Sequence, residues 1–380
     1  MSPTTVTEPL STTPITYGKL RYVTADWAPK AISQPFGLPD VSEYGDERLM
    51  PIHDIRPLPT VDELPTAKEG TAQLLTHGFT AVKHSSSLHS SPYTAASWRN
   101  PELVQKVYVA EVEEMLKRIT GAQTVITEVL LMRGTPKSGH DVPSTNTSHS
   151  QDNSTKGAPT EAPEKTQAPL PAHLQDKTLF KLRFPNPIGF SPVFGGVPPA
   201  PKTHLDFTPG GARTHIRLFH PTLTAASARI IAAEDRLLAA NLPLATHYST
   251  APDAPRWAIY SVWRPLKPVK RDPLAFGDVR SFVKEDYVQI DVPAPTIGSD
   301  GESKGMHIMK AYVARGSEGH RWCYVSEQMP DEVLVIGLWD SDREGDSVAA
   351  GGAMHSSVEL QGREGEEPRE SLELRCLAIW

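Results

Sequence analysis

Apolar and polar positions alternate in short runs along most of the chain, and two stretches keep a helical period. Ile15 to Val23 (ITYGKLRYV), Leu49 to Arg56 (LMPIHDIR) and Thr124 to Arg133 (TVITEVLLMR) read as strands, the last a β-branched run suited to the centre of a sheet. Trp257 to Trp263, closed by Arg264-Pro265, continues the series. So do Asp278 to Val283, Met306 to Ala314, Arg321 to Ser326 and Glu332 to Trp339, separated by Gly, Pro, Asp or Ser clusters. Leu74 to His84 (LLTHGFTAVKH) reads as strand–turn–strand, broken at Gly78. Met354 to Arg375 closes the pattern with two alternating runs around a turn at Gly362, Gly365 and Pro368. The helical stretches are Asn100 to Thr120, with Asn100 as N-cap, Pro101 at the first helical position and Gly121 as stop, and the Ala-rich Thr222 to Ala240. Many closely spaced strands with helices gathered in two places predict a mainly β protein with flanking helices, its core a barrel or sandwich.

Gly134 to Gln175 breaks this texture. It is dense in Ser, Thr, Pro, Gly and Asn and too poor in aliphatic side chains to offset chain entropy, so a disordered surface insertion is expected there. Residues 1–14 have the composition of a flexible tail, which leaves one domain over 15–380. The net charge of −7 lacks the basic footprint of a nucleic-acid binder. No apolar run is long enough to span a membrane, and the first residues lack the basic and apolar regions of a signal peptide. The two cysteines, Cys323 and Cys376, are expected as buried reduced thiols of a cytoplasmic protein.

His204-Leu-Asp206 is the single His-X-Asp of the chain. On a strand, residues i and i+2 point the same way, so both side chains can reach one cation. Two imidazoles and a carboxylate on one face of an octahedron leave three open positions, the donor set of non-haem Fe(II) oxygenases. His355 is the candidate third ligand. Arg369 and Ser371 share a face by the same rule, and an antiparallel return would set that face beside His355. A planar guanidinium grips a carboxylate bidentately and a hydroxyl adds a further bond, which suits the far carboxylate of a 2-oxo acid cosubstrate. The alternation also puts Glu373 and Arg375 on this face, to be accommodated by pairing with each other or by a bulge. Taken alone, His-X-Asp is also a common hydrogen-bonded turn, and Arg369 a partner for Glu367 or Glu370. His215, His220, His307 and His320 show no ligand spacing.

His53-Asp54-Ile55-Arg56, His77-Gly78-Phe79, the THLDF run at 203–207, and the blocks VWRPLKPVKRDPLAFGDVRS at 262–281, RWCYVSEQMPDEVLVIGLWDSD at 321–342 and PRESLELRCLAIW at 368–380 form a larger pattern. Together they resemble the fungal hydroxylase/desaturase family of AsaB and CmcJ type, related to the Fe(II)/2-oxoglutarate oxygenases of secondary metabolism. The resemblance implies a double-stranded β-helix (jelly-roll, cupin-like) core, with His204, Asp206 and His355 on iron and Arg369 anchoring 2-oxoglutarate, Ser371 beside it. It offers Arg217 and Arg264 as contacts to cosubstrate or substrate, or as partners of Asp278 or Asp340. The chain departs from the family at Ser356-Ser357-Val358, where an aromatic or aliphatic residue is usual.

The expected reaction is O2-dependent hydroxylation or desaturation of a small hydrophobic secondary metabolite. Phe207, Trp257 and Trp263, with Trp27, Phe36, Phe79 and Trp98 upstream, are candidates for an apolar pocket fitting a terpenoid, polyketide or alkaloid, and each is equally at home in a core. A metal-dependent isomerase or hydrolase in the same barrel is an alternative, separated by succinate formation. A non-catalytic β-barrel binding protein is another, separated by tight divalent metal binding. Oligomeric state is left open, a homodimer among the options.

Overall fold

The computed structural model describes residues 16–61, 67–134, 188–190, 196–300, 302–345 and 347–380. The tail expected at 1–14, and all but Gly134 of the insertion expected at 134–175, lie outside them. The strands are β1 Thr16–Tyr22, β2 Asp46–Asp54, β3 Phe79–Lys83, β4 Thr124–Arg133, β5 His204–Leu205, β6 Trp257–Pro265, β7 Leu274–Gly277, β8 Tyr287–Ile297, β9 Ser303–Ala314, β10 Trp322–Tyr324, β11 Glu332–Asp340, β12 His355–Ser357, β13 Glu359–Leu360 and β14 Ser371–Ile379. The α-helices are α1 Ala67–His77, α2 Pro101–Leu103, α3 Val109–Thr120, α4 Pro209–Leu218, α5 Pro221–Ala226, α6 Ala228–Ala239 and α7 Leu244–His247.

One sheet runs β13-β1-β2-β10-β7-β12-β5-β9-β8 and the other β3-β11-β6-β14-β4. Their facing sides share one apolar cluster, with Leu20, Ile52 and Phe276 from the larger sheet and Trp257, Ile259 and Ile336 from the smaller. The far side of the smaller sheet, through Val262, Val335 and Leu374, packs on Val112, Leu116 and Ile119 of α3. Every residue of β6 is therefore buried, whichever face it points to. The helix over 101–120 has the expected signals. The Asn100 side chain accepts hydrogen bonds from the Glu102 and Leu103 amides at 3.0 and 3.2 Å, and Gly121 ends it at φ 74°. A π-helical turn at Val104–Tyr108 lies within it.

Several expectations fail for identifiable reasons. Leu74 to His77 is the end of α1, not a strand; Gly78, at φ +83°, closes the helix with its amide on the Leu74 carbonyl, and only Phe79–Lys83 is extended. β4 lies at the edge of its sheet, not the centre. It looks central because one side meets α3 while the other lines an internal pocket. Asp278 to Val283 is no strand: the Asp278 carboxylate caps a 3-10 turn at Val279–Ser281, and the strand precedes it as β7. The helix over 222–240 is two, parted at Ser227. β8 escaped notice because Pro293 and Pro295 interrupt it; it is an edge strand, where a missing amide hydrogen is tolerated. β12 and β14 do not pair as an antiparallel return. They belong to different sheets and face each other across the interior.

Candidate metal centre

β5 is two residues long, wedged between β9 and β12, with His204 in register with both Val313 and His355. The two imidazoles are therefore cross-strand neighbours, their ring centroids 4.3 Å apart. After Asp206 the chain turns out into α4, where the Thr208 hydroxyl accepts from the Gly211 amide at 2.9 Å. Gly211 is required by close approach: a Cβ there would come within 2.0 Å of the Lys310 carbonyl on β9. This tight seat fixes the chain just beyond Asp206.

One ligand atom from each of His204, Asp206 and His355 lies within 4.8 Å of the others. His204 Nε2 is 3.7 Å from Asp206 Oδ1. His204 Nδ1 donates to the Lys202 carbonyl at 2.6 Å and His355 Nδ1 to the Ala353 carbonyl at 3.1 Å. A carbonyl only accepts, so each Nδ1 carries hydrogen, which leaves Nε2 as the atom each ring can turn to a metal. Burial, then the neighbouring His355, pushes His204 down to about 3, so it is neutral at physiological pH. Burial alone would raise the Asp206 carboxyl. The charge of Arg375, with His355 and His204, outweighs it and holds Asp206 below the usual carboxylate range. Arg375 Nη2 donates to Asp206 Oδ2 at 2.8 Å.

Arg369, 1% exposed, shares a narrow chamber with His204, His355, Ser261, Trp263 and Glu373. Its guanidinium lies 5.0 Å from the Trp263 ring centre and donates to the Asp272 carbonyl. Glu367 and Glu370 are taken by Lys267 and Arg99, and among the described residues Arg369 has no ion pair. Its Nε and the Ser371 hydroxyl are buried without partners. Burial, then the nearby Arg133, pushes Arg369 down to about 9 against the opposing pull of Asp272 and Glu373. A pocket of about 520 Å³ reaches His204 and Asp206, walled by Phe36, Leu38, Val129, Leu131, Val292 and Met309. The Arg133–Glu373 ion pair, 3.0 Å, lines both chamber and pocket.

The other candidates lie elsewhere. Arg217 pairs with Glu234 and Asp235 of α6 at 2.8 Å. Arg264 points to the helix side of its sheet, donating to the Tyr108 hydroxyl at 2.9 Å and the His84 carbonyl at 2.9 Å. Neither meets Asp278 or Asp340, which take Arg280 and Arg256. Phe207 packs beneath Arg375, its ring 5.0 Å from the guanidinium, and Trp263 lines the chamber. Glu373 and Arg375 point inward without pairing together or being displaced by a bulge; each has its own partner, Arg133 and Asp206. Sequence reading named Phe36 as a pocket residue but missed those two partnerships and the rest of the loop 34–41 that borders the pocket. The i, i+2 spacing from Arg369 to Arg375 was the available signal.

The family described as an oxidoreductase/YMDC permease-like domain matches residues 30–184 and 233–379. The chain belongs to that family. Oxidoreductase chry3 of Gibberella zeae is 36% identical over 96% of this chain and 98% of the relative. The gibberellin cluster GA4 desaturase of Gibberella fujikuroi is 34% identical over 80% of this chain and 82% of the relative. Other fungal proteins named hydroxylase/desaturase also match, which bears out the resemblance read from the sequence. Among solved structures, the iron and alpha-ketoglutarate-dependent endoperoxidase NvfI superposes with a TM-score of 0.55 at 22% identity, over 96% of this chain and 97% of that one. That likeness shows the double-stranded β-helix fold. This oxidoreductase is mainly β, as expected, and among the described residues no helix is long and apolar enough to cross a membrane.

Proposed function

We infer that the protein is an Fe(II)- and 2-oxoglutarate-dependent oxygenase that hydroxylates or desaturates a small hydrophobic secondary metabolite with O2. We read it as one domain over 15–380, cytoplasmic, with neither nucleic acid nor membrane as partner. The observation that carries this is the pairing of a three-donor cluster, neutral His204, His355 and ionised Asp206, with a buried guanidinium that has no ion pair among the described residues. The relatives named as desaturase and hydroxylase/desaturase, and the iron and alpha-ketoglutarate dependence of the solved neighbour, support the same reading.

The residues fit both groups. Two Nε2 lone pairs and one carboxylate oxygen are the donor set of a facial iron site. Arg369 Nε and Ser371 Oγ, buried and unpartnered, are what a dicarboxylate's remote end requires. Iron and 2-oxoglutarate, when bound, supply the O2 activation needed to remove hydrogen from an unactivated carbon. The chain does the rest. His204, His355 and Asp206 would hold the metal, and Arg369 with Ser371 would receive the carboxylate. The apolar walls from Phe36 to Met309 exclude water and orient the substrate's carbon skeleton. The Arg133–Glu373 pair stands between cosubstrate and substrate compartments.

Anaerobic titration of the folded protein with Fe(II) and then 2-oxoglutarate tests the reading. It should produce a weak visible charge-transfer band, and aerobic turnover against a panel of hydrophobic metabolites should yield succinate in step with substrate loss. Iron-loaded, folded protein that shows no band and forms no succinate refutes it.

A further inference from the structure

The inward face of β14 carries a polar series on alternate positions: Arg369 just before the strand, then Ser371, Glu373 and Arg375. The first two serve the cosubstrate in the reading above, and Glu373 holds Arg133. Arg375 is left without a task in that scheme, yet it is 8% exposed and built into the site. Its Nη2 reaches Asp206 Oδ2 at 2.8 Å and is the one hydrogen-bond donor to that carboxylate among the described residues. Its guanidinium carbon lies 5.0 Å from the Phe207 ring centre and 6.0 Å from that of Phe36, so two aromatic faces hold the fork in place. Asp206 Oδ1 remains on the side of His204 Nε2, 3.7 Å away.

We propose that Arg375 is a positioning residue for the metal centre: by pinning Oδ2 of Asp206 it presents Oδ1 alone to the cation beside His204 and His355. A carboxylate free to rotate offers either oxygen, or both, and spends part of its time turned away. A carboxylate fixed by an outer hydrogen bond is set for one mode of ligation, which is how outer partners usually strengthen a site. Arg375 also lines the large pocket, as does Phe36, whose ring centre lies 6.0 Å from the guanidinium carbon. A substrate that displaces Phe36 would therefore press on the group that orients a metal ligand.

The inference rests on the metal-centre reading, and the test separates the two. Apo protein is titrated with Co(II), followed by d–d absorption, and 2-oxoglutarate is then titrated at saturating Co(II). Arg375→Gln should bind Co(II) about 10- to 100-fold more weakly than wild type. Arg375→Lys, which keeps the charge without the fork, should fall between them. At saturating Co(II), 2-oxoglutarate affinity should match wild type in both variants, a split that general loosening would not give. A folded Gln variant with Co(II) affinity within about twofold of wild type overturns the inference, as does equal loss of metal and cosubstrate affinity. Should the Gln variant not fold, the Lys variant decides: weakened Co(II) at an unchanged melting temperature supports the role, and wild-type affinity overturns it. A wild-type chain that binds no Co(II) overturns the metal centre itself, and this role with it.

Discussion

Replacing Arg369 by methionine should weaken 2-oxoglutarate binding severely while leaving the apo protein as stable as before, or more so. The guanidinium is buried and has no ion pair among the described residues. Its pKa is pushed down from 12.5 to about 9, so holding the charge there costs up to about 5 kcal/mol, at 1.36 kcal/mol per unit. The sign is unambiguous at pH 7, below both values: the group is charged in folded and unfolded chains, and the folded one bears the cost. Methionine fills a similar volume and removes it. Against that stand the hydrogen bond to the Asp272 carbonyl and the stack on Trp263, together about 2–3 kcal/mol. The balance favours the variant by up to about 2–3 kcal/mol, within the range seen when buried ions are replaced by apolar residues. Cosubstrate binding moves the other way. Loss of a bidentate charge-assisted pair removes about 3–4 kcal/mol, or roughly 100- to 1000-fold in Kd. The assay is calorimetric titration of 2-oxoglutarate into Co(II)-loaded protein beside apo melting curves. A variant that loses more than about 2 kcal/mol of apo stability, or keeps 2-oxoglutarate affinity within about threefold, refutes the reasoning, because Arg369 would then be a structural cation.

His355→Ala should abolish stoichiometric Co(II) binding in a folded protein, read by metal analysis after gel filtration; one tightly bound metal per chain in the variant would remove His355 from the site. Gly211→Ala should cost about 1–3 kcal/mol in urea unfolding, since its Cβ meets the Lys310 carbonyl at 2.0 Å, and it should weaken metal binding by shifting the chain near Asp206. Burial would raise the Asp278 carboxyl, but hydrogen bonds from Arg280 and His77 outweigh it and hold the group at about 2. The folded value lies below the unfolded one of 3.8, so the contribution is present above pH 4 and lost as pH falls through 2. Asp278→Asn should therefore destabilise by about 1–2 kcal/mol at pH 7, a figure reduced because Arg280 is half exposed, and the gap should close toward pH 2 in melting curves.

What could be read in advance follows from what is local. The caps at Asn100 and Gly121 act within a turn, and the shared face of His204 and Asp206 needs only the pleat of one strand. Which sheet receives β14 depends on partners far along the chain, and no local signal carries that. The smaller sheet is harder still. With α3 on one side and the larger sheet on the other, both faces of β6 are buried, so the alternation that normally separates inside from outside is erased from its hydrophobicity. The prolines of β8 concealed a strand for a different reason, since an edge position tolerates what a central one would not.

One error was avoidable from the pleat alone, and it bears on how the site is organised. Trp263 and Arg264 are consecutive in β6, so they cannot share a face. Trp263 lines the chamber and Arg264 lies among the helices beyond the sheet, bonded to Tyr108 and His84. Once Trp263 is placed inside, the neighbouring strand is fixed too. The register pairs Glu373 with Trp263 and Arg375 with Ser261, which carries Glu373 and Arg375 inward and Leu372, Leu374 and Cys376 out to α3. A strand with an apolar outer face and an Arg-Ser-Glu-Arg inner one is poorly suited to a simple core. Its four polar groups are tolerable because each has a counterpart, in the structure or in the proposed complex: Arg133 for Glu373, Asp206 for Arg375, and, in the proposal above, a bound dicarboxylate for Arg369 and Ser371. The unpaired end of that series is the reason the chamber calls for an anion.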